Sequence, residues 1–372
     1  MNVLFLDPYH TGSHAAFSEG WRARSRHEIE ILSLPGRHWK WRMRHAAWTL
    51  AQRAAALAGE VDAVVATDMI DLAAWRGLAP AALARLPHVL YMHENQLVYP
   101  DAHKSERDHH FGFTNILSCA AADAVWWNSG WHRDVFFDAA AALCARMPDF
   151  APTDALARGR VASAVMPPGI DVAPGPARAA GAPLRLVWAA RWEPDKGPDD
   201  FFAAVRALVA RGVDIRVDVV GRSSAPLPLF DDARRELGDR IDQWGWLPSR
   251  DDYHAVLRRA DVVVSTARHE FFGIAVVEAV AAGAFPLVPR RLAYPEVLAS
   301  FESPGVDDGT YDGTVADLVD RLQALAARKA TGELWQGDPE RGRRAVAGYA
   351  WDRRAAAMDD ALPADQAATV RR

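Results

Sequence analysis

Two carboxylates, Glu270 and Glu278, bracket the loop Phe271-Phe272-Gly273-Ile274. An apolar run, Asp261 to Ser265, precedes the loop and reads as a buried strand; Ala279-Val280-Ala281-Ala282-Gly283 follows and reads as a buried helix with a glycine stop. A strand, a glycine loop and a helix N-terminus together make an anion site. The unpaired N–H groups of the first helical turn point outward there, and the helix dipole favours negative charge. Carboxylates repel phosphate but accept hydrogen bonds from sugar hydroxyls. The loop therefore suits a ligand that is part phosphate and part sugar. Taken alone, it is equally an ordinary strand–helix turn with two surface acids.

Two more loops bring complementary chemistry. Arg191 and Lys196 follow the apolar run Leu184 to Ala189, and Gly221-Arg222 closes the run Ile215 to Val220. Two separated cations suit a diphosphate. They would hold it as a leaving group and offset the charge that grows as a sugar bond breaks. Glu278, at an expected helix start, is placed to take ribose hydroxyls, and Glu270 the hydroxyls of a transferred sugar. All three loops follow expected strands, so they line one edge of one sheet.

The first half carries its own candidates. Val3 to Leu6 reads as a parallel strand, followed by a polar turn, Asp7 to His14, and a helix from about Ala15. Gly12, Ser13 and His14 thus stand at a strand's carboxyl end, where open parallel sheets bind ligands. The polar cluster His93-Glu94-Asn95-Gln96 stands at the end of His88 to Met92 in the same way. A histidine there can orient a hydroxyl or stabilise a leaving phosphate; a purely structural histidine is the alternative. The segment Arg37-His38-Trp39-Lys40-Trp41-Arg42 interleaves cations with tryptophans and has no acid. Nucleic acid needs that mixture, charge for phosphate and flat faces for bases. A solvated helix face with two core tryptophans is the rival reading.

The elements that must position these residues alternate regularly. Further strands are expected at His27 to Leu34, Val61 to Ala66, Ala124 to Trp127, Val161 to Met166 and Phe285 to Val288, with a strand or turn at Gln243 to Leu247. Helices are expected at Glu106 to Ala121, Pro198 to Ala210, Asp231 to Leu237 and Arg250 to Ala260, and a loose tail from Pro363. Pro and Gly crowd residues 168–183 and mark a linker. The expectation is α/β throughout: two doubly wound Rossmann-like domains facing across a cleft.

With 372 residues and a net charge of -5, the chain has no general attraction to nucleic acid or anionic membrane. Its two cysteines lack metal-ligand spacing, and no apolar run reaches the roughly 18–20 residues of a membrane helix. The N-terminus has no basic n-region or cleavage site. A cytoplasmic chain with no membrane partner is expected.

The order Arg191, Lys196, Gly221, Glu270-Phe271-Phe272-Gly273-Ile274 and Glu278 resembles the retaining glycosyltransferases of family 4, which have the GT-B fold. The resemblance implies that Arg191 and Lys196 bind a donor diphosphate, that Phe272, Gly273 and Ile274 line it, and that Glu278 binds the ribose. It implies no metal and no cofactor beyond the donor. Gly12, Gly221 and Arg222 complete the implied donor set; His93 and Glu270 join Arg191 and Lys196 as the implied catalytic set.

Gly12-Ser13-His14, Leu34-Pro35 with Trp39-Lys40-Trp41-Arg42, His93 to Pro100, and Ile116-Leu117-Ser118-Cys119 with Asn128-Ser129 resemble the tRNA-queuosine mannosyltransferase family. That resemblance implies transfer of mannose from GDP-mannose to the cyclopentenediol of queuosine in the tRNA anticodon loop. Ser13, His14, Arg37, Trp39, Lys40, Trp41, Arg42, Glu94, Asn95 and Gln96 become acceptor-side candidates. Thr11 stands where the pattern has a second glycine. The expected division is an acceptor (tRNA) domain over 1–170, a donor domain over 171–345, and a helix and tail over 346–372 able to pack back on the first. Other expectations from the same residues are a family 4 enzyme with a lipid or polysaccharide acceptor, a sugar-nucleotide epimerase of the same fold, and a non-catalytic nucleotide- or tRNA-binding protein.

Overall fold

The run Val3-Leu4-Phe5-Leu6 is buried on both faces, as a central parallel strand requires. In the computed structural model, which describes residues 1–100, 109–176, 179–181, 183–223, 227–301 and 307–363, it lies within strand β1, Asn2–His10. The next strands are β2 (Glu28–Pro35), β3 (Ala63–Thr67), β4 (His88–Met92), β5 (Ala124–Trp127) and β6 (Ser163–Val165). They pair in parallel in the order β2-β1-β3-β4-β5-β6. Alternate side chains serve opposite faces, as the pleat demands. Leu4, Leu6, Val64, Leu90 and Trp127 enter one core; Val3, Phe5, Val65, Tyr91 and Trp126 enter the other.

The second half repeats the plan. Strands β7 (Leu184–Ala189), β8 (Ile215–Val220), β9 (Ile241–Gly245), β10 (Val262–Val264), β11 (Phe285–Pro289) and β12 (Thr310–Tyr311) form a parallel sheet in the order β12-β11-β10-β7-β8-β9. The buried ion pair of Lys329 with Asp261, 2.8 Å, ties a long outer helix, Val315–Ala330, to the entry of β10. The other carboxylate oxygen of Asp261 accepts the Arg185 N–H at 2.9 Å and so anchors β7 as well.

The chain divides into two compact units, 1–169 with 351–372 and 170–350. The helix Trp351–Ala361 belongs to the first. Its Trp351 and Met358 complete the core beside Phe17, Trp21 and Trp126. Trp21 Nε1 donates to Asp359 at 2.8 Å. Gly20 and Gly169 both lie where a β-carbon would stand within 2.5 Å of the Trp351 ring, so the indole fits only against glycines.

Several local expectations are corrected. Strand β1 runs on through the supposed turn to His10, held by Asp7, whose buried carboxylate meets His10 Nδ1 at 2.7 Å and Ser18 Oγ at 3.1 Å. The following helix starts at Gly12 rather than Ala15. Val161 ends a helix, Thr153–Val161, instead of opening a strand. The helix expected from Glu106 is described from His109; residues 106–108 and the tail 364–372 lie outside the described residues.

Candidate functional site

Each sheet reverses its strand order once, and ligands of open parallel sheets bind at such reversals. In the second unit the reversal falls between β7 and β10. The loop after β7 carries Arg191 and Lys196, and the loop after β10 carries His269 and Glu270. The Lys196 side chain is only 10% exposed, and its Nζ stands 3.4 Å from Asp195. The same Nζ donates to the His269 carbonyl at 2.8 Å and to Glu270 Oε2 at 3.2 Å. Gly197 makes this approach possible. Its φ is +62°, and a β-carbon would lie 2.3 Å from the Thr266 carbonyl oxygen.

Charge follows this geometry. Burial works to raise the Glu270 carboxyl, but the Lys196 charge and hydrogen bond, with the Phe272 N–H, outweigh it and leave Glu270 below its ordinary value. Burial, and then Lys196, lowers His269 to about 4, so its ring is neutral at pH 7. Glu270 therefore faces the Lys196 cation as a carboxylate. A small cavity opens beside them, lined by Lys196, Ser265, Glu270, Gly273, Ala275 and Tyr294.

Gly273, at φ +89°, turns the chain into the helix Ile274–Ala281. A β-carbon on it would lie 2.7 Å from the Tyr294 ring. Ile274 and Ala275 stand in the first turn, where N–H groups lack intrahelical acceptors. The Phe272 N–H turns back toward Glu270 and donates to its Oε1 at 3.4 Å. Glu278 lies in the second turn of this helix, not at its start. It is buried, and burial raises its carboxyl above the usual range. Tyr253 Oη donates to it at 3.1 Å and Arg250 stands 3.6 Å away.

Arg191 is exposed and pairs with Glu193 at 3.3 Å. Gly221 closes β8 so tightly that a β-carbon would lie 1.9 Å from the Ala190 carbonyl oxygen. Arg222 lays its guanidinium over the Trp246 ring, 4.6 Å from the centroid. Tyr253, Arg250, Asp195 and Trp246 were not among the expected residues. Tyr253 lies on a charged helix, Arg250–Arg259, with nothing in its pattern to mark one tyrosine. Trp246 had a signal, the alternation Trp244-Gly245-Trp246.

In the first unit the reversal falls between β1 and β3. His93, after β4, hangs its N–H on buried Asp68 Oδ1 at 2.8 Å, and its carbonyl accepts Asn128 Nδ2 at 2.9 Å. Burial, followed by His14 and His132, holds His93 well below its usual range. Its Nε2 is buried and has no hydrogen-bond partner among the described residues. His14 packs its ring on His93, with centroids 4.0 Å apart. Burial, and then Glu94, raises Asp68 well above its ordinary value. Glu94 accepts Gln96 Nε2 at 2.9 Å. Gly12, at φ +51°, and Ser13 stand at the start of the helix Gly12–Arg22, both exposed. Ser129 caps the next helix through the His132 N–H at 3.0 Å.

Three acceptor-side candidates, Asn95, Arg42 and His14, are buried. Asn95 is fully buried and its Oδ1 accepts the N–H groups of Leu97 and Val98, so it shapes its own loop. Arg42 is buried and donates to the Pro35 carbonyl at 3.1 Å. Half-buried Trp39 packs edge-on to Phe111, and His14 backs His93. Arg42 and Asn95 are thus held inside the unit rather than presented on its surface. Arg37, Lys40 and Trp41 are exposed.

Known proteins share both this fold and these sequences. The family model "Glycosyl transferases group 1" matches residues 177–326, and solved GT-B enzymes share the fold. Sucrose-phosphate synthase from Thermosynechococcus elongatus aligns with a TM-score of 0.68 at 14% identity, covering 97% of this chain and 98% of its own. Anabaena Alr3699/HepE, in complex with UDP and glucose, aligns at 0.64 and 17%, covering 97% and 99%. The protein is a glycosyltransferase of the GT-B class. The model "tRNA-queuosine alpha-mannosyltransferase N-terminal" matches residues 2–170. The tRNA-queuosine alpha-mannosyltransferase of Drosophila melanogaster is 33% identical over 315 residues, 80% of this chain and 81% of its own. The chain belongs to the tRNA-queuosine alpha-mannosyltransferase family. A GDP-mannose:cellobiosyl-diphosphopolyprenol alpha-mannosyltransferase of Xanthomonas oryzae is 31% identical, over only 42% of each chain. No described helix is long and apolar enough to cross a membrane.

Proposed function

We propose that this chain is a retaining, metal-independent mannosyltransferase that moves mannose from GDP-mannose to the cyclopentenediol of queuosine in tRNA. One observation carries the reading: similarity to the fruit-fly relative spans 80% of the chain, well beyond either half alone. The relative named for a lipid-linked acceptor matches less than half. GDP-mannose as donor is supported by that relative's name and by a site with cations for a diphosphate. A tRNA acceptor makes the cytoplasm the working compartment.

In this reading Arg191 and Lys196 hold the donor diphosphate, with the Gly273 and Ile274 amides and the Gly221-Arg222 turn beside it. Glu278 takes the ribose hydroxyls, and Glu270 the hydroxyls of the mannose. As the bond from the anomeric carbon to phosphate oxygen breaks, charge grows on the leaving phosphate and the cations offset it. The acceptor hydroxyl forms the new carbon–oxygen bond on the same face. Its proton passes to the departing phosphate oxygen, and GDP leaves. The Nε2 of neutral His93 serves a hydroxyl of the sugar or the acceptor. Ser13, Glu94 and Gln96 line the acceptor side, and Gly12 faces the donor.

The test is incubation with queuosine-bearing tRNA and a panel of nucleotide sugars, followed by nucleoside mass spectrometry. One added hexose on queuosine, from GDP-mannose only, is expected. Donor turnover with no tRNA product would point to the epimerase or to another acceptor.

A further inference from the structure

The helix Trp39–Ala54 carries rings where an ordinary surface helix carries charge. Its inner face buries Met43, Ala46, Ala47, Leu50 and Ala51 in the core of the first unit. Its outer face should then be polar. Instead it presents two large aromatic rings, Trp41 at 60% exposure and Trp48 at 57%. Seven residues of α-helix place them about 10 Å apart along the axis and within about 20° of the same direction. His45 lies between them. Its ring meets Trp41 at 4.8 Å, tilted by 34°. Burial, and then Arg42, keeps His45 below its ordinary value, so this middle ring is flat and uncharged at neutral pH.

The electrostatics of the segment are one-sided. No acid occurs between Glu30 and Glu60, whereas Arg37, Lys40 and Arg44 are exposed there. Lys40 and Arg44 flank the aromatic stripe and lean on Phe111, at 6.0 and 4.9 Å from its centroid. In a chain of net charge -5 this is a local reversal. Exposed rings cost free energy in water, and a polyanion with accessible π-faces removes that cost while meeting the cations.

We propose that the outward face of this helix, through Trp41 and Trp48, stacks unpaired bases of the tRNA loop that carries the acceptor nucleoside, with Arg37, Lys40 and Arg44 on its phosphates. The inference rests on the tRNA reading above and deepens it. A membrane is the less fitting occupant: an interfacial helix needs a broad aliphatic face, and here the aliphatic residues are spent on the core. The outer stripe holds only Trp41, His45, Trp48 and Gln52.

The test uses the full chain and queuosine-bearing tRNA. Affinity is measured over a salt series for wild type, for Trp41→Gln with Trp48→Gln, for Trp41→Phe with Trp48→Phe, and for Lys40→Gln with Arg44→Gln. Thermal melting checks that each variant is folded. Base stacking predicts a loss of roughly tenfold per ring in the glutamine pair, substantial recovery in the phenylalanine pair, and an unchanged salt slope in both. The Lys40–Arg44 pair should instead flatten the slope by about 0.7–0.9 for each phosphate left without its cation. If wild type binds tRNA and the glutamine pair binds equally well, the stacking face is wrong while the tRNA reading stands. If wild type ignores tRNA and binds anionic vesicles, both fall.

Discussion

Lys196 and Glu270, 74 residues apart in the chain, meet at 3.2 Å, the lysine almost wholly withdrawn from water. Two loops from neighbouring strands at the point of strand reversal make this contact. The ammonium also grips the His269 carbonyl, so the pair fixes the loop that leads into Gly273 and the helix beyond it. A positive charge and a carboxylate are thus held together at the carboxyl ends of these strands.

Lys196→Met removes the cation and leaves Glu270 partly buried with no counter-charge. Transfer, read as kcat/KM for the donor, should fall on the order of 100–1000-fold. Folding stability should fall by roughly 1–3 kcal/mol at pH 7. The sign with pH follows from Glu270, whose folded value lies below the ordinary 4.5. Its contribution is present above that ordinary value and is lost as pH falls through the depressed one. The stability gap between variant and wild type should therefore shrink in acid. A constant gap from neutral pH down to about pH 3 would contradict the pairing.

Glu278→Gln separates function from stability. Burial raises the Glu278 carboxyl, so the folded state binds its proton more tightly than the unfolded chain does. Ionised Glu278 therefore costs stability once pH rises through that raised value. At about pH 7.5 the glutamine variant should melt no lower than wild type, yet bind GDP at least about tenfold more weakly. Calorimetry with GDP and a thermal melt are sufficient; unaltered GDP affinity would remove Glu278 from the donor site.

Tyr253→Phe deletes one hydroxyl and little packing. Tyr253 positions Glu278 through its hydrogen bond and stands behind it. Losing that bond should raise the donor KM by roughly 3–10-fold while kcat stays near wild type. A fall in kcat with an unchanged KM would argue for a different role.

Buried histidines set the acid limit of the fold. Burial lowers His88 to about 4, and burial with Lys196 lowers His269 to about 4. Both stay neutral when folded but take protons when unfolded below about pH 6.5. The unfolded state binds more protons across that window, so stability should rise from about pH 4 to about 6.5 by up to about 1.4 kcal/mol per unit for each such histidine. Urea unfolding at about pH 5 and about pH 7 checks this. In His88→Gln the slope should flatten, because that variant has one fewer buried site to protonate.

Much of the fold was legible because buried parallel strands announce themselves. Leu184–Ala189 and His88–Met92 are continuous apolar runs with polar loops after them, and both stand where the sequence placed them. Strand β1 was read too short because Asp7 looks like a turn former. Its carboxylate is in fact satisfied inside by His10 and Ser18, which no local pattern reveals. The Lys196–Glu270 loops were legible from residue type and position after a strand. Tyr253 was not, since its partner lies 25 residues away. On the helix Trp39–Ala54 the sequence showed rings and charges but not which faced outward. Arg42 turned inward, Trp39 half so, and Trp48, outside the noticed cluster, turned out to water.

If one chain holds a nucleotide sugar at Lys196 and Glu270 and delivers its sugar to queuosine in tRNA, loss of the lysine must abolish the product. The most direct measurement is quantitative nucleoside mass spectrometry of queuosine-bearing tRNA after incubation with GDP-mannose and either wild type or Lys196→Met. Hexosylated queuosine should accumulate with wild type toward one hexose per queuosine, and almost none should form with the variant. Queuosine left unmodified by folded wild type, or modified equally well by both, would contradict this.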